Sequence, residues 1–175
     1  LRFIVVFISI IITFGANASE LDKMVKQYVA AIISNDFEQV AELLHPDELS
    51  LFKEKINNSL QSSNQNLVEK ELLPLLGVDT RKKALMLTPK DAYIRMSNNL
   101  MARYPNEATE IASSSSIYLG EARRGDILVV TYKMTYNIGD KPVSRVIQHS
   151  FKKYEDRWRF LLTAETLAYL NRYTL

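Results

Sequence analysis

Apolar residues recur every three or four positions over roughly the first hundred residues, and every second position from about residue 110 to 164. The first spacing matches the helical turn and the second the pleat of a strand, so the chain predicts helices followed by a sheet. Ser19 with Asp22 makes a capping box for a helix whose apolar side is Leu21, Met24, Val25, Tyr28, Val29 and Ile32. Asn35 and Asp36 stop it. Asp36 then caps a short helix buried through Phe37, Val40, Leu43 and Leu44, and His45-Pro46 closes that one, because the residue before a proline is pushed out of the helical region. Leu49, Phe52, Ile56 and Leu60 predict a third helix. Residues 57–66 read as a loop, and residues 67–76, interrupted by Pro74, fit either a helix or a loop. Thr88-Pro89-Lys90-Asp91 starts a further helix that buries Tyr93, Met96, Leu100 and Met101.

In the second half the turns fix the pairing. A turn at Gly139-Asp140 sets Tyr136 against Val143, Met134 against Arg145, Tyr132 against Ile147 and Val130 against His149. A turn at Glu155-Asp156 sets His149 against Leu162 and Phe151 against Phe160. One around Arg124-Gly125 sets Ile117 against Tyr132 and Ser115 against Met134. All three registers gather Ile117, Leu119, Val130, Tyr132, Ile147, Phe151, Trp158, Phe160 and Leu162 on one face. The predicted fold is α+β, with N-terminal helices packed on a curved four-stranded antiparallel sheet.

Residues 3–14 (FIVVFISIIITF) follow Arg2 and precede Ala16-Asn17-Ala18, the pattern of a secretory signal peptide over residues 1–18 with a single domain at 19–175. The run is shorter than the ~20 apolar residues a bilayer crossing requires, so no membrane span is expected after processing. A periplasmic or secreted location follows. With no cysteine in the chain, lipid attachment, thiolate metal sites, disulfides and cysteine nucleophiles are excluded. A net charge of +2 with 24% charged residues offers no steering field for nucleic acid.

Residues 28–45 (YVAAIISNDFEQVAELLH) with Pro46, then Leu119-Gly120-Glu121, residues 126–133 (DILVVTYK) and residues 154–161 (YEDRWRFL) resemble uncharacterised exported members of the nuclear transport factor 2-like superfamily, the cystatin-like cone. The resemblance spans most of the chain after the leader, apart from residues 57–87. It implies a curved sheet wrapped around helices, a pocket at one end of the cone and often a dimer through the outer sheet face. Enzymes of this fold work with a carboxylate base or an Asp/His constellation inside the cone. The inward positions here hold no Asp or Glu except Glu121 at a turn, and Asp36 is already occupied as a cap. No catalytic residue is therefore assigned, and a non-catalytic binding domain is the first expectation, with a cone-fold lyase or isomerase and a sheet-dimerised structural adaptor as alternatives.

Arg145 is the informative position. The register puts it on the apolar face beside Tyr132, Tyr136, Ser113 and Ser115, with His149 and Trp158 farther along. An apolar wall with one guanidinium suits a small amphipathic ligand with an anionic tip, while an internal ion pair with Glu38 or Glu42, or a side chain reaching water, explains the same residue. His149 reads as a satisfied core histidine, and His45 as a residue packing or capping at a helix end. Two distant histidines without acidic partners argue against a metal, and no cofactor motif is present. The opposite face, with Tyr118, Val129, Thr131, Val146 and Leu161, is more apolar than a solvated face requires and predicts a homodimer.

Overall fold

In the computed structural model, which describes residues 20–103, 115–138 and 141–173, helix α1 (Glu20–Ile33) ends where Asn35 takes a left-handed φ of 56°. Asn35 N then donates to Ile32 O at 3.0 Å and Asp36 N to Ala31 O at 2.8 Å, which satisfies two orphan carbonyls at the helix end. The same Asp36 accepts from Gln39 N at 3.0 Å and starts α2 (Phe37–Leu43). One dipeptide thus stops one helix and opens the next, as the sequence predicts. Pro46 begins α3 (Pro46–Leu60), which extends four residues into the stretch expected as loop. Ser59 and Leu60 are buried, so packing overrides the polar composition of that stretch.

Asn64 caps α4 (Gln65–Leu67), accepting from Leu67 N at 3.2 Å. The backbone continues through a π-helical turn, Val68–Leu72, into α5 (Leu73–Leu75). Pro74 explains the widening: it has no N–H to donate, and its ring crowds the carbonyl four residues back. Leu73 N donates to Val68 O, five residues back, so the helix passes through the proline instead of breaking there. The helix α6 (Arg81–Met86) starts at the Thr80 cap, and α7 (Pro89–Arg103) at Thr88, whose Oγ1 accepts from Asp91 N at 3.1 Å and donates to Asp91 Oδ2 at 2.6 Å. The four residues expected inside α7 are all buried.

Strands β1 (Ser115–Arg124), β2 (Ile127–Ile138), β3 (Lys141–Tyr154) and β4 (Arg157–Phe160) form one antiparallel sheet in sequence order, followed by α8 (Ala164–Asn171). The fold class read from the sequence is therefore found. Pairing of β2 with β3 and of Phe151 with Phe160 follows the expected register. The β1 register does not. The turn is Gly125-Asp126, and the pairing shifts at a bulge between Tyr118 and Gly120, so Tyr118, not Ile117, lies opposite Tyr132. Ser115 pairs with Thr135 instead of Met134. A one-residue slip moves a side chain to the other face, so Ile117 leaves the Tyr132 face and Tyr118 joins it.

The chain builds two compact units, each from two separated stretches: residues 46–103 with 162–173, and residues 20–45 with 115–161. In the helical unit, side chains close helix ends. Lys53 Nζ, on α3, donates to Ala84 O of α6 at 2.6 Å, while Arg81 Nη1, on α6, donates to Leu60 O of α3 at 2.8 Å. Asn99 Nδ2 of α7 donates to Leu75 O at 2.9 Å. Glu48 Oε2 accepts from Leu162 N at 2.9 Å, tying α3 to the segment before α8. Within the sheet unit, Leu44 bridges Phe160 in parallel and His45 N donates to Phe160 O at 2.9 Å, so the chain after α2 lies along β4. The leader expected at residues 1–18, and Ser19, lie outside the described residues. No described helix is long and apolar enough to cross a membrane.

Candidate functional site

Alternation along β3 puts Val143, Arg145, Ile147, His149 and Phe151 on one face, and from Arg145 onward their burial deepens toward α1. Arg145 is exposed, Ile147 half-buried, His149 2% exposed and Phe151 fully buried. At the buried end five rings meet. Tyr28 of α1 stacks on Phe160 at 4.2 Å between centroids, and Phe151 lies 4.6 Å from Phe160. The His149 imidazole sits among them, 5.7 Å from Tyr132, 5.7 Å from Phe160, 6.2 Å from Tyr28 and 6.5 Å from Phe151. Offset and edge-on packing of this kind adds about 0.5 to 1.5 kcal/mol per pair beyond area burial. Burial holds the Tyr28 phenol far above its ordinary value, and that of Tyr132 likewise, with Tyr28 adding to the shift. Neither phenol ionises in the ordinary range, so the cluster presents neutral hydroxyls and a ring, packed to contact.

The register thus brings Tyr132 and His149 together, as expected, and adds Tyr28 and Phe160, which the sequence had shown only as core positions. It does not bring Arg145 to them. Arg145 shares their face but stands two register positions beyond the helix-covered end, so the expectation of a buried guanidinium is corrected: alternation sets the face, and cover by α1 sets the burial. The backbone of Tyr136 pairs with Val143 as expected. Ser113 lies outside the described residues, and the backbone of Ser115 pairs with Thr135, not with Met134 as expected. Trp158 is half-buried with Arg123 at 5.8 Å and Lys153 at 5.6 Å from its ring centroid. Of these two cation–π contacts, only that of Lys153 follows from strand pairing, since Lys153 lies directly opposite Trp158. The buried His45 ring packs edge-on to Tyr154 at 5.6 Å, matching its expected packing role. Among the described residues no three His, Cys, Asp or Glu side chains gather as a metal site.

On the other face, Ile117, Lys133 and Val146 form one cross-strand row. Ile117 is 61% and Val146 64% exposed. The rows on either side are polar and each carries a cross-strand bond: Thr135 Oγ1 and Ser144 Oγ are 2.8 Å apart, and Gln148 Nε2 donates to Thr131 Oγ1 at 3.2 Å. Val129 and Leu161 are half-buried. Tyr118 was expected on this face, but the bulge places it with Tyr132, where it is 38% exposed and its phenol is raised by burial and by Glu121.

No family model matches the chain, and no curated protein matches it. Among solved structures, the chain is similar to the solution structure of a SEC-C motif containing protein from Rhodopseudomonas palustris, at 14% identity and a TM-score of 0.41, over 81% of this chain and 74% of that one.

Proposed function

We propose that this chain is an exported, non-catalytic binding domain of the nuclear transport factor 2-like type, and that it works through protein contact on the open face of its sheet, with a second copy of itself as the first partner. The observation that carries the reading is the row Ile117, Lys133, Val146, two strongly exposed apolar side chains flanking a lysine whose stem can be covered while its ammonium reaches water at the rim, on a face where Thr135 bonds Ser144 and Gln148 bonds Thr131. Burying that face removes apolar surface from water and strands few polar groups, which is the balance an interface requires. The other face supports the same reading, because near α1 it is filled by the packed rings of Tyr28, Tyr132, His149, Phe151 and Phe160. Export rests on the apolar run at residues 3–14. Sedimentation equilibrium of the chain lacking residues 1–18 tests the assembly. The expected result is a concentration-dependent dimer that Ile117→Glu with Val146→Glu converts to monomer. A parent that stays monomeric at high concentration, or a double variant that stays dimeric, overturns it.

A further inference from the structure

The helical unit carries a cleft of about 570 Å³ between the end of α5, helix α6 and the first turns of α7. Its apolar lining comes from Pro74, Val78, Met86 and Leu87, and Met86 is 75% exposed, the most open large apolar side chain among the described residues. Its charges come from Asp79, Lys83 and Arg95. Two of these cancel, since Lys83 Nζ lies 2.9 Å from Asp79 Oδ2. That contact also holds the Asp79 carboxyl below the usual carboxylate range. Arg95 remains. Among the described residues its guanidinium makes one polar contact, a long 3.5 Å approach of Nη1 to Gly77 O, which leaves most of its five donors for something else.

We propose that this cleft binds a small monocarboxylate with an unbranched apolar body, the carboxylate taken by Arg95 and the chain laid over Val78, Met86 and Leu87. Volume and chemistry agree: roughly 300 to 1,000 Å³, mostly apolar lining and a few placed polar groups describe small-ligand sites in general. A guanidinium takes a carboxylate through two parallel N–H donors, a geometry that a backbone carbonyl such as Gly77 O cannot match. The covering of Met86 removes from water an apolar side chain that nothing else shields. The site is separate from the sheet face, so its failure leaves the dimer reading untouched.

The test uses octanoate with the ¹⁵N-labelled chain, read by amide shifts and the Arg95 side-chain N–H signal. The expected result is saturable shifts confined to residues 74–95. Octanol, with the same chain and no carboxylate, binds at least about tenfold more weakly, and Arg95→Gln weakens octanoate by roughly tenfold to a hundredfold, the range of one charge-assisted contact. Shifts that scatter over the protein or rise without saturation overturn the proposal, as does parent-like affinity in Arg95→Gln. Should Arg95→Gln lose the fold, Met86→Gln decides, since that side chain is exposed: weakened octanoate binding supports the site and unchanged binding overturns it.

Discussion

Replacing Gly77 by Ala isolates what a helix end costs when its turn is crowded. Gly77 closes α5 at φ +63°, with its N–H donating to Pro74 O at 3.1 Å and the next N–H, of Val78, donating to Leu73 O at 3.1 Å. Both bonds require the left-handed conformation, which costs a residue with a Cβ about 1 to 2 kcal/mol. Against this, alanine restricts the unfolded chain and returns about 0.4 to 1 kcal/mol. A third contribution is local. The new Cβ sits 3.3 Å from Asn99 Nδ2, and that amide is fixed by its 2.9 Å bond to Leu75 O, so it can retreat only by loosening a bond worth about 0.5 to 1.5 kcal/mol. The sum is a destabilisation of about 0.5 to 3 kcal/mol. Gly125 supplies the comparison: its φ is also +63°, but a Cβ there meets nothing within 4 Å. Gly125→Ala therefore carries the conformational part alone and costs at most about 1.5 kcal/mol, on the same principles. Urea midpoints on the parent, Gly77→Ala, Gly125→Ala, Asn99→Ala and the Gly77→Ala with Asn99→Ala double variant measure all of it, the double variant losing less than the sum of its two singles because the crowding amide is gone. A Gly77→Ala protein as stable as the parent, or no steeper a loss than Gly125→Ala, refutes the reasoning.

Tyr132→Phe should raise the thermal midpoint, by about 1 kcal/mol in stability, because the Tyr132 hydroxyl is buried without a hydrogen-bond partner among the described residues. A clear loss of stability shows instead that the hydroxyl is bonded. Lys53 titrates below its ordinary value of 10.5 because burial disfavours the ammonium. Between the folded and unfolded values the unfolded chain binds more protons, so Lys53 makes stability rise with pH through that window, and Lys53→Met should lack the rise. Parallel urea midpoints for parent and variant across the alkaline range count against this assignment.

Much of the sheet was legible because strand alternation and turn chemistry are local. Glu155 and Asp156 both take positive φ, as a two-residue hairpin turn of the primed type requires, and the β3–β4 pairing follows from them. The β1 error has an equally local cause. Arg124-Gly125 and Gly125-Asp126 are both readable turns, but only the second puts the glycine at the first central position, where a positive φ is needed, and Gly120, the glycine inside the strand that marks the bulge, does not say by itself which residue is extra. Arg145 failed differently: its face was right, while its exposure depends on where α1 lies along β3, which no alternation in β3 encodes. Residues 57–60 joined α3 because their apolar and small side chains find cover, a tertiary effect. The carboxylate cleft was not visible at all, since Val78, Met86 and Arg95 share no periodic stripe and meet only through the α5 turn. The interleaving of the two units likewise bears on why no linker composition marked a boundary: besides the passage after residue 103, the chain passes between them beside His45-Pro46 and Leu161-Leu162, with at most a few residues between one element and the next.

The exchange between α3 and α6 has a consequence for how the helical unit comes apart. Helix ends ordinarily fray one at a time, each losing a turn at little expense to its neighbours. Here the last carbonyl of α3 depends on Arg81 and the closing turn of α6 depends on Lys53. Unwinding α6 withdraws the guanidinium from Leu60, and unwinding the middle of α3 withdraws the ammonium from Ala84. The six-residue α6, far too short to persist alone, borrows its lifetime from α3 and repays it in kind. The two helices should therefore open in a single event, with the amides of both exchanging with solvent at one common rate.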